Sequence, residues 1–222
     1  MDLAHTIQLI ALYALPVIFA ITIHEAAHGY AARYFGDDTA WKMGRVTLNP
    51  LKHIDPFGTI LLPLVLILIS SPFILGAAKP VPVRFGNLRH PKRDMIWVAL
   101  AGPASNLVQA AIWQTALILL SASGVSEPFL IEMCQGGIVV NLVLFAFNLI
   151  PLPPLDGGRI LVGLLPTRQA MLVARVEPWG FMLLIAIMIF LPSAYSLWMR
   201  PVIAVASTMI DIVLTPLILL IQ

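Results

Sequence analysis

Long apolar runs, separated by short polar and proline-rich stretches, set the pattern of this chain. The first run, Ile7 to Ile23, turns polar over Thr22 to His28. A continuous helix is predicted from about Leu3 to Tyr34, kinked at Pro16 and ended by Gly36-Asp37-Asp38. Thr39 to Pro56 is polar and irregular, and its turn residues and β-branched pair predict a loop with a short strand or hairpin. Phe57 to Ala78 is apolar again but contains Pro63, Ser70, Ser71 and Pro72. Lys79-Pro80-Val81-Pro82-Val83-Arg84 reads as an extended edge segment, because proline removes ladder donors. Helices follow over Met95 to Ser121 and Glu132 to Ile150. Pro151, Pro153 and Pro154 then forbid continuous helix before a short one restarts at Ile160 to Leu165. Spans at about Trp179 to Leu197 and Pro201 to Leu220 complete the chain, with no repeat, low-complexity tract or separate soluble domain.

Composition makes these runs membrane helices. Of the 222 residues 59% are hydrophobic and only 11% charged, with a mean hydropathy of +0.93; soluble proteins carry about 25% charged residues. The expected fold is an all-α polytopic membrane protein. About five full transmembrane helices are accompanied by a re-entrant or broken hairpin and a short β-like segment. One membrane-embedded domain covers 1–222, its core about 5–165 and its two C-terminal helices about 179–220. The net charge of +2 is too small for nucleic-acid binding, and the single cysteine, Cys134, allows no internal disulfide. The first apolar run lacks a basic n-region and a small-residue cleavage site, so it is expected to be retained.

Charge also orients the helices. Of the 13 basic residues, four fall between Arg33 and Lys52, five between Lys79 and Arg93, and three at Arg159, Arg168 and Arg175. The N-terminus and the loop from Ala122 to Ile131 have none. His28 and Asp156 then lie toward the basic, cytoplasmic side. A full crossing by Phe57 to Ala78 would put basic loops in opposite compartments, so a re-entrant hairpin broken at Ser70-Ser71-Pro72 is the preferred reading.

The candidate chemistry begins at His24-Glu25-Ala26-Ala27-His28. Helix positions four apart are offset by only about 40°, so His24 and His28 can bind one metal ion, with Glu25 beside them as a general base. The plainer alternative is a pair of histidines facing interfacial water. Ionisable groups in spans are costly and functional by default, which favours the metal. A catalytic zinc takes three protein ligands and one open position. Asp156, His53, Asp55 and Asp211 are the candidates for the third. Asp211 lies mid-helix with no motif around it, and His53 and Asp55 sit in a proline-rich loop. Asp156 stands at a forced helix break followed by two glycines and is preferred; its plainer role would be to N-cap the short helix, which competes for its oxygens without excluding the metal.

With these motifs the chain resembles the site-2 protease family of intramembrane zinc metalloproteases. The match rests on His24-Glu25-Ala26-Ala27-His28, Gly102-Pro103-Ala104-Ser105-Asn106 and Asn148-Leu149-Ile150-Pro151-Leu152-Pro153-Pro154-Leu155-Asp156-Gly157, and covers roughly Thr6 to Arg159. The resemblance implies Asp156 as third ligand of one Zn²⁺ and Glu25 as catalytic base. It also implies a three-helix catalytic core formed by the first helix, Met95 to Ser121 and Glu132 to Ile150. The compact form, without PDZ or CBS domains, is the one expected. Asn106 and Asn148 are candidates for orienting substrate or the developing oxyanion, with helix-to-helix hydrogen bonds as the equal alternative.

The expected substrate is a transmembrane protein or peptide, met in the lipid bilayer of a prokaryotic cytoplasmic membrane and cut from the cytoplasmic side. A zinc- or proton-coupled transporter, with a path through His24, His28, Asp156 and Asp211, is the rival reading. It leaves Glu25 without a purpose and is supported by no inverted repeat. Family members that bind segments without cutting them, and plain scaffolds, are weaker rivals.

Overall fold

The computed structural model describes residues 3–61, 65, 76 and 78–221. Eight α-helices are described: α1 (Leu3–Tyr34), α2 (Thr39–Lys42), α3 (Pro91–Ala122), α4 (Pro128–Asn148), α5 (Asp156–Leu164), α6 (Thr167–Ala174), α7 (Glu177–Phe190) and α8 (Pro192–Ile221). Four are long and apolar enough to cross a membrane: Ile10–Tyr34 of α1, α3, α4 and α8. A fifth span results if α6 and α7, bent by 65° at their junction, are taken as one. The chain is an all-α integral membrane protein.

Proline marks the helix starts. It occupies the first or second position of α3, α4 and α7, where a missing N–H costs nothing because those donors have no intrahelical acceptor. Helix α3 is central and packs on α1, α4 and α5. Small residues bring the backbones together: Ala20, Ala32, Ala110 and Ala146 are fully buried, and Ala99 nearly so. Helix α8 joins through Ala206 and Ile210, which meet Ala110 of α3 and Leu142 of α4. In lipid such contacts bind through close van der Waals packing, since burying apolar surface there displaces no water.

Several expectations shift. Thr39 to Pro56 forms α2, turns and a 3₁₀ turn at Pro50–Lys52 rather than a strand or hairpin. The Asp37 carboxylate accepts hydrogen bonds from the Thr39 backbone N–H (3.1 Å) and hydroxyl (2.5 Å), which folds the chain back into a helical turn. The last two spans divide at Leu191, not near residue 200. Leu191 precedes Pro192 and leaves the helical region (φ −132°, ψ 54°), as a residue before proline does. Helix α8 then runs through Pro201 and Pro216. Most of the expected hairpin over Phe57 to Ala78 lies outside the described residues. Lys79 to Arg84 is extended without ladder partners, and no β-strand occurs among the described residues.

Candidate metal centre

Helix α1 presents His24 and His28 toward α3, their ring centroids 4.7 Å apart. The turn after α4 brings a third group to them. Pro151, Pro153 and Pro154 stop α4 from continuing, and α5 starts at Asp156. The two glycines that follow let the chain double back. A Cβ on Gly157 would overlap the Leu149 carbonyl, and one on Gly158 the Pro153 backbone. Asp156 Oδ2 thereby lies 3.2 Å from His24 Nε2 and 3.3 Å from His28 Nε2. The two Nε2 atoms are 3.0 Å apart. His24, His28 and Asp156 are only 5–7% exposed.

The far side of each ring fixes its tautomer. The Val98 carbonyl lies 2.7 Å from His28 Nδ1 and can only accept, so Nδ1 carries the proton. Asn106 Oδ1 lies 2.5 Å from His24 Nδ1. The Asn106 amide nitrogen donates to the Ala20 carbonyl (3.2 Å) and to Asn141 Oδ1 (3.0 Å), leaving its oxygen for the ring. Both Nε2 lone pairs therefore point at each other and at a carboxylate oxygen. Asp156 Oδ2 is buried without a hydrogen-bond donor. Three acceptors converging in a buried site repel unless a cation lies among them. Gly102 of α3 faces the same point, and a Cβ there would overlap His28 Nε2 and come within 2.6 Å of His24 Nε2. The residues fit a metal. Two imidazoles and a carboxylate, with one side open, are the donor set of a catalytic zinc. Among the described residues these three are the group of this kind, their ligand atoms all within 4.8 Å of one another.

The open side is a cavity of about 330 Å³, lined by His24, Glu25, His28, Val81, Asn148 and Asp156 among others. Glu25 is half-buried there, and its Oε2 accepts the Val81 N–H at 2.7 Å. Pro80 and Pro82 flank Val81 and have no N–H, so Val81 is the one backbone donor of that tripeptide. The extended segment is held on both sides of this contact. Lys79 N–H donates to the His53 carbonyl (2.9 Å) and Arg84 N–H to Asp37 Oδ2 (2.7 Å). Asp37 is buried, which would push its carboxyl up, but the Thr39 hydroxyl, the Arg84 N–H and the Asn87 amide hold it below the ordinary range.

Residues 123–191 match the model of peptidase family M50. The protein named "Putative zinc metalloprotease YwhC" in Bacillus subtilis (strain 168) is 40% identical over 201 residues, 88% of either chain. The chain belongs to peptidase family M50. This is the site-2 protease family. "Putative zinc metalloprotease Rip2" of Mycolicibacterium smegmatis is 32% identical over 181 residues, covering 78% of this M50 chain and 64% of that relative. A protein of the same name in Mycobacterium tuberculosis (strain ATCC 25618 / H37Rv) is 28% identical over 144 residues, 63% of this chain and 52% of the relative. No solved structure matches significantly.

Other candidates in this M50 chain go elsewhere. Asp156 makes no capping bond; Leu155 occupies the N-cap position of α5. Asn148, half-buried, lines the cavity and donates to the Leu144 carbonyl at 3.0 Å. Asn106 is fully buried behind His24 and faces α1 and α4 rather than the cavity. His53 Nε2 bonds the Thr47 carbonyl (2.9 Å) and Asp55 accepts the Gly58 N–H (2.6 Å), so both are local loop contacts. Asp211 is exposed on α8 and joins no metal-binding group among the described residues. The sequence does not single out Asn141 or the Val81 N–H. Asn141 carried a signal, being an amide inside an apolar run where a polar group needs a reason. A backbone donor carries none.

Proposed function

We propose that the chain is an intramembrane zinc metalloendopeptidase of the site-2 type, cutting peptide bonds within or near transmembrane segments of membrane-protein substrates. The observation that carries this is the convergence of His24, His28 and Asp156 with Glu25 on one cavity inside a bundle of apolar helices. The names of its relatives, "Putative zinc metalloprotease YwhC" and "Putative zinc metalloprotease Rip2", support the same chemistry.

His24 and His28 would hold the ion through Nε2, and Asp156 through Oδ2. Bound zinc supplies Lewis acidity, which polarises a peptide carbonyl and acidifies water. Glu25 takes the proton of the attacking water and returns it to the leaving amine nitrogen, so water adds across the peptide bond. Asn148, at the cavity wall, is the amide best disposed to bond the substrate backbone. A helical substrate has its carbonyls bonded internally, so it must unwind before one reaches the site. The basic loops support an active site on the cytoplasmic side of a prokaryotic cytoplasmic membrane.

The test compares purified wild type with Glu25→Gln on a single-span peptide. Wild type is expected to cleave it, and the variant to bind zinc normally and be inactive. Equal cleavage by both would sink the mechanism. Zinc flux into proteoliposomes that His24→Ala abolishes would favour a transporter instead.

A further inference from the structure

We infer that Asn141 is a positioning residue for the metal centre, acting through Asn106 to fix which ring nitrogen of His24 carries the proton. The order of donors can be followed from a backbone group that has no choice. The Gly137 carbonyl only accepts, and the Asn141 amide nitrogen lies 2.9 Å from it. Asn141 Oδ1 is thereby turned to Asn106, where it accepts the amide nitrogen at 3.0 Å. A second carbonyl, Ala20, accepts from that same nitrogen at the longer distance of 3.2 Å, so Asn141 supplies the shorter of its two bonds. Asn106 Oδ1 is left facing His24 Nδ1 at 2.5 Å. The chain of bonds ends with the lone pair of His24 Nε2 directed toward His28 and Asp156.

Burial gives the order its force. Asn106 and Asn141 are both 0% exposed, so no water can substitute for a misdirected amide. Flipping either side chain would set two acceptors or two donors against each other. His28 has no such chain, because the Val98 carbonyl of α3 fixes it directly. The two zinc histidines are thus set by different means, one by a backbone carbonyl and one by a two-amide relay from α4.

The metal readout of the test rests on the zinc reading above; the tautomer readout does not. Full-length wild type, Asn141→Leu, Asn141→Asp, Asn106→Leu and the double Asn106→Leu/Asn141→Leu are purified in detergent. Zinc loss from the holoprotein to a chromophoric chelator gives relative affinity. After zinc removal, nitrogen-15 shifts of the histidine rings give the tautomers. In wild type a neutral His24 ring is expected to carry its proton at Nδ1. Asn141→Leu should mix its tautomers and weaken zinc about tenfold, the usual cost of losing an outer-shell partner. A neutral Asp at 141 can donate to Gly137 and accept from Asn106, so Asn141→Asp should restore both readouts to within about threefold. The double variant should be no worse than Asn106→Leu alone, as for two members of one relay. His28 should remain unchanged throughout.

A wild-type tautomer at His24 in Asn141→Leu would overturn the inference. So would His24 and His28 shifting together, which signals general disruption, or failure of Asn141→Asp to rescue. Wild type that binds no zinc would sink the metal reading instead, with the tautomers still deciding the relay.

Discussion

Gly102 lies opposite His24 Nε2 and His28 Nε2 and contributes only the absence of a side chain. The smallest one possible would occupy the point where His24 Nε2 and His28 Nε2 converge. Gly102→Ala is therefore expected to abolish stoichiometric zinc binding by metal analysis while leaving helix content by circular dichroism unchanged. Asp37 acts at the same scale but outside the membrane. Its carboxylate accepts from Thr39, Arg84 and Asn87, and its folded pKa is depressed. The stability it contributes is fully present above the ordinary carboxyl value, about 3.9. It is lost as pH falls through the lower folded value. Asp37→Ala should cost roughly 2 kcal/mol at neutral pH, the worth of hydrogen bonds to a charged group. The gap to wild type should close on acidification. Thermal unfolding in detergent across pH 2–7 measures both, and a gap that persists below the folded pKa would refute the assignment.

Among elements, the extended segment from Lys79 to Arg84 has a clearer role than its missing ladder suggests. It fixes Glu25 through one N–H, and prolines on both sides remove the competing donors. Val81→Pro deletes that donor. Peptide cleavage by the variant should fall about 10- to 100-fold, the range for losing a group that orients a site residue. Zinc content should stay at the wild-type level. Val81→Ala keeps the N–H and should retain activity, so equal loss in both variants would point to side-chain packing instead. The break between α4 and α5 works by a different route. Prolines end one helix and glycines allow the reversal, so the carboxylate approaches α1 from the chain's far side.

At the scale of the molecule, the C-terminal helices pack on the turn that carries Asp156. Trp198 Nε1 of α8 donates to the Ala146 carbonyl at 3.0 Å, near the end of α4. A Cβ on Gly180 of α7 would overlap the Pro153 carbonyl, so α7 lies directly on the turn that carries Asp156. Gly180→Leu is expected to weaken zinc binding although residue 180 is no ligand. Asp211→Leu, on an exposed face of α8, should leave zinc binding as in wild type. Chelator competition distinguishes the two, and equal affinity for wild type and Gly180→Leu would show that α7 is dispensable to the turn.

Hydropathy and proline placement by themselves determined the long helices α1, α3 and α4, because twenty-odd apolar residues have one good conformation in lipid. The first helix was legible to its ends, and α3 and α4 to within a few residues. That His24 and His28 share one face of α1, with Glu25 beside them, was legible too, since helical spacing is a local property. What lay between distant segments was not. Spacing alone left Asp156 a choice between capping α5 and facing the histidines. Folding of the α4–α5 turn against α1 decided it, with Oδ2 3.2 Å from His24 and no cap made. Asn106 was visible as a polar residue in a motif, but its partner was not, and the tertiary structure turned it from the cavity to the back of His24. Asn141 and the Val81 N–H became apparent only in three dimensions. A hydrogen bond between helices depends on depth and rotation set by packing, which no single segment encodes.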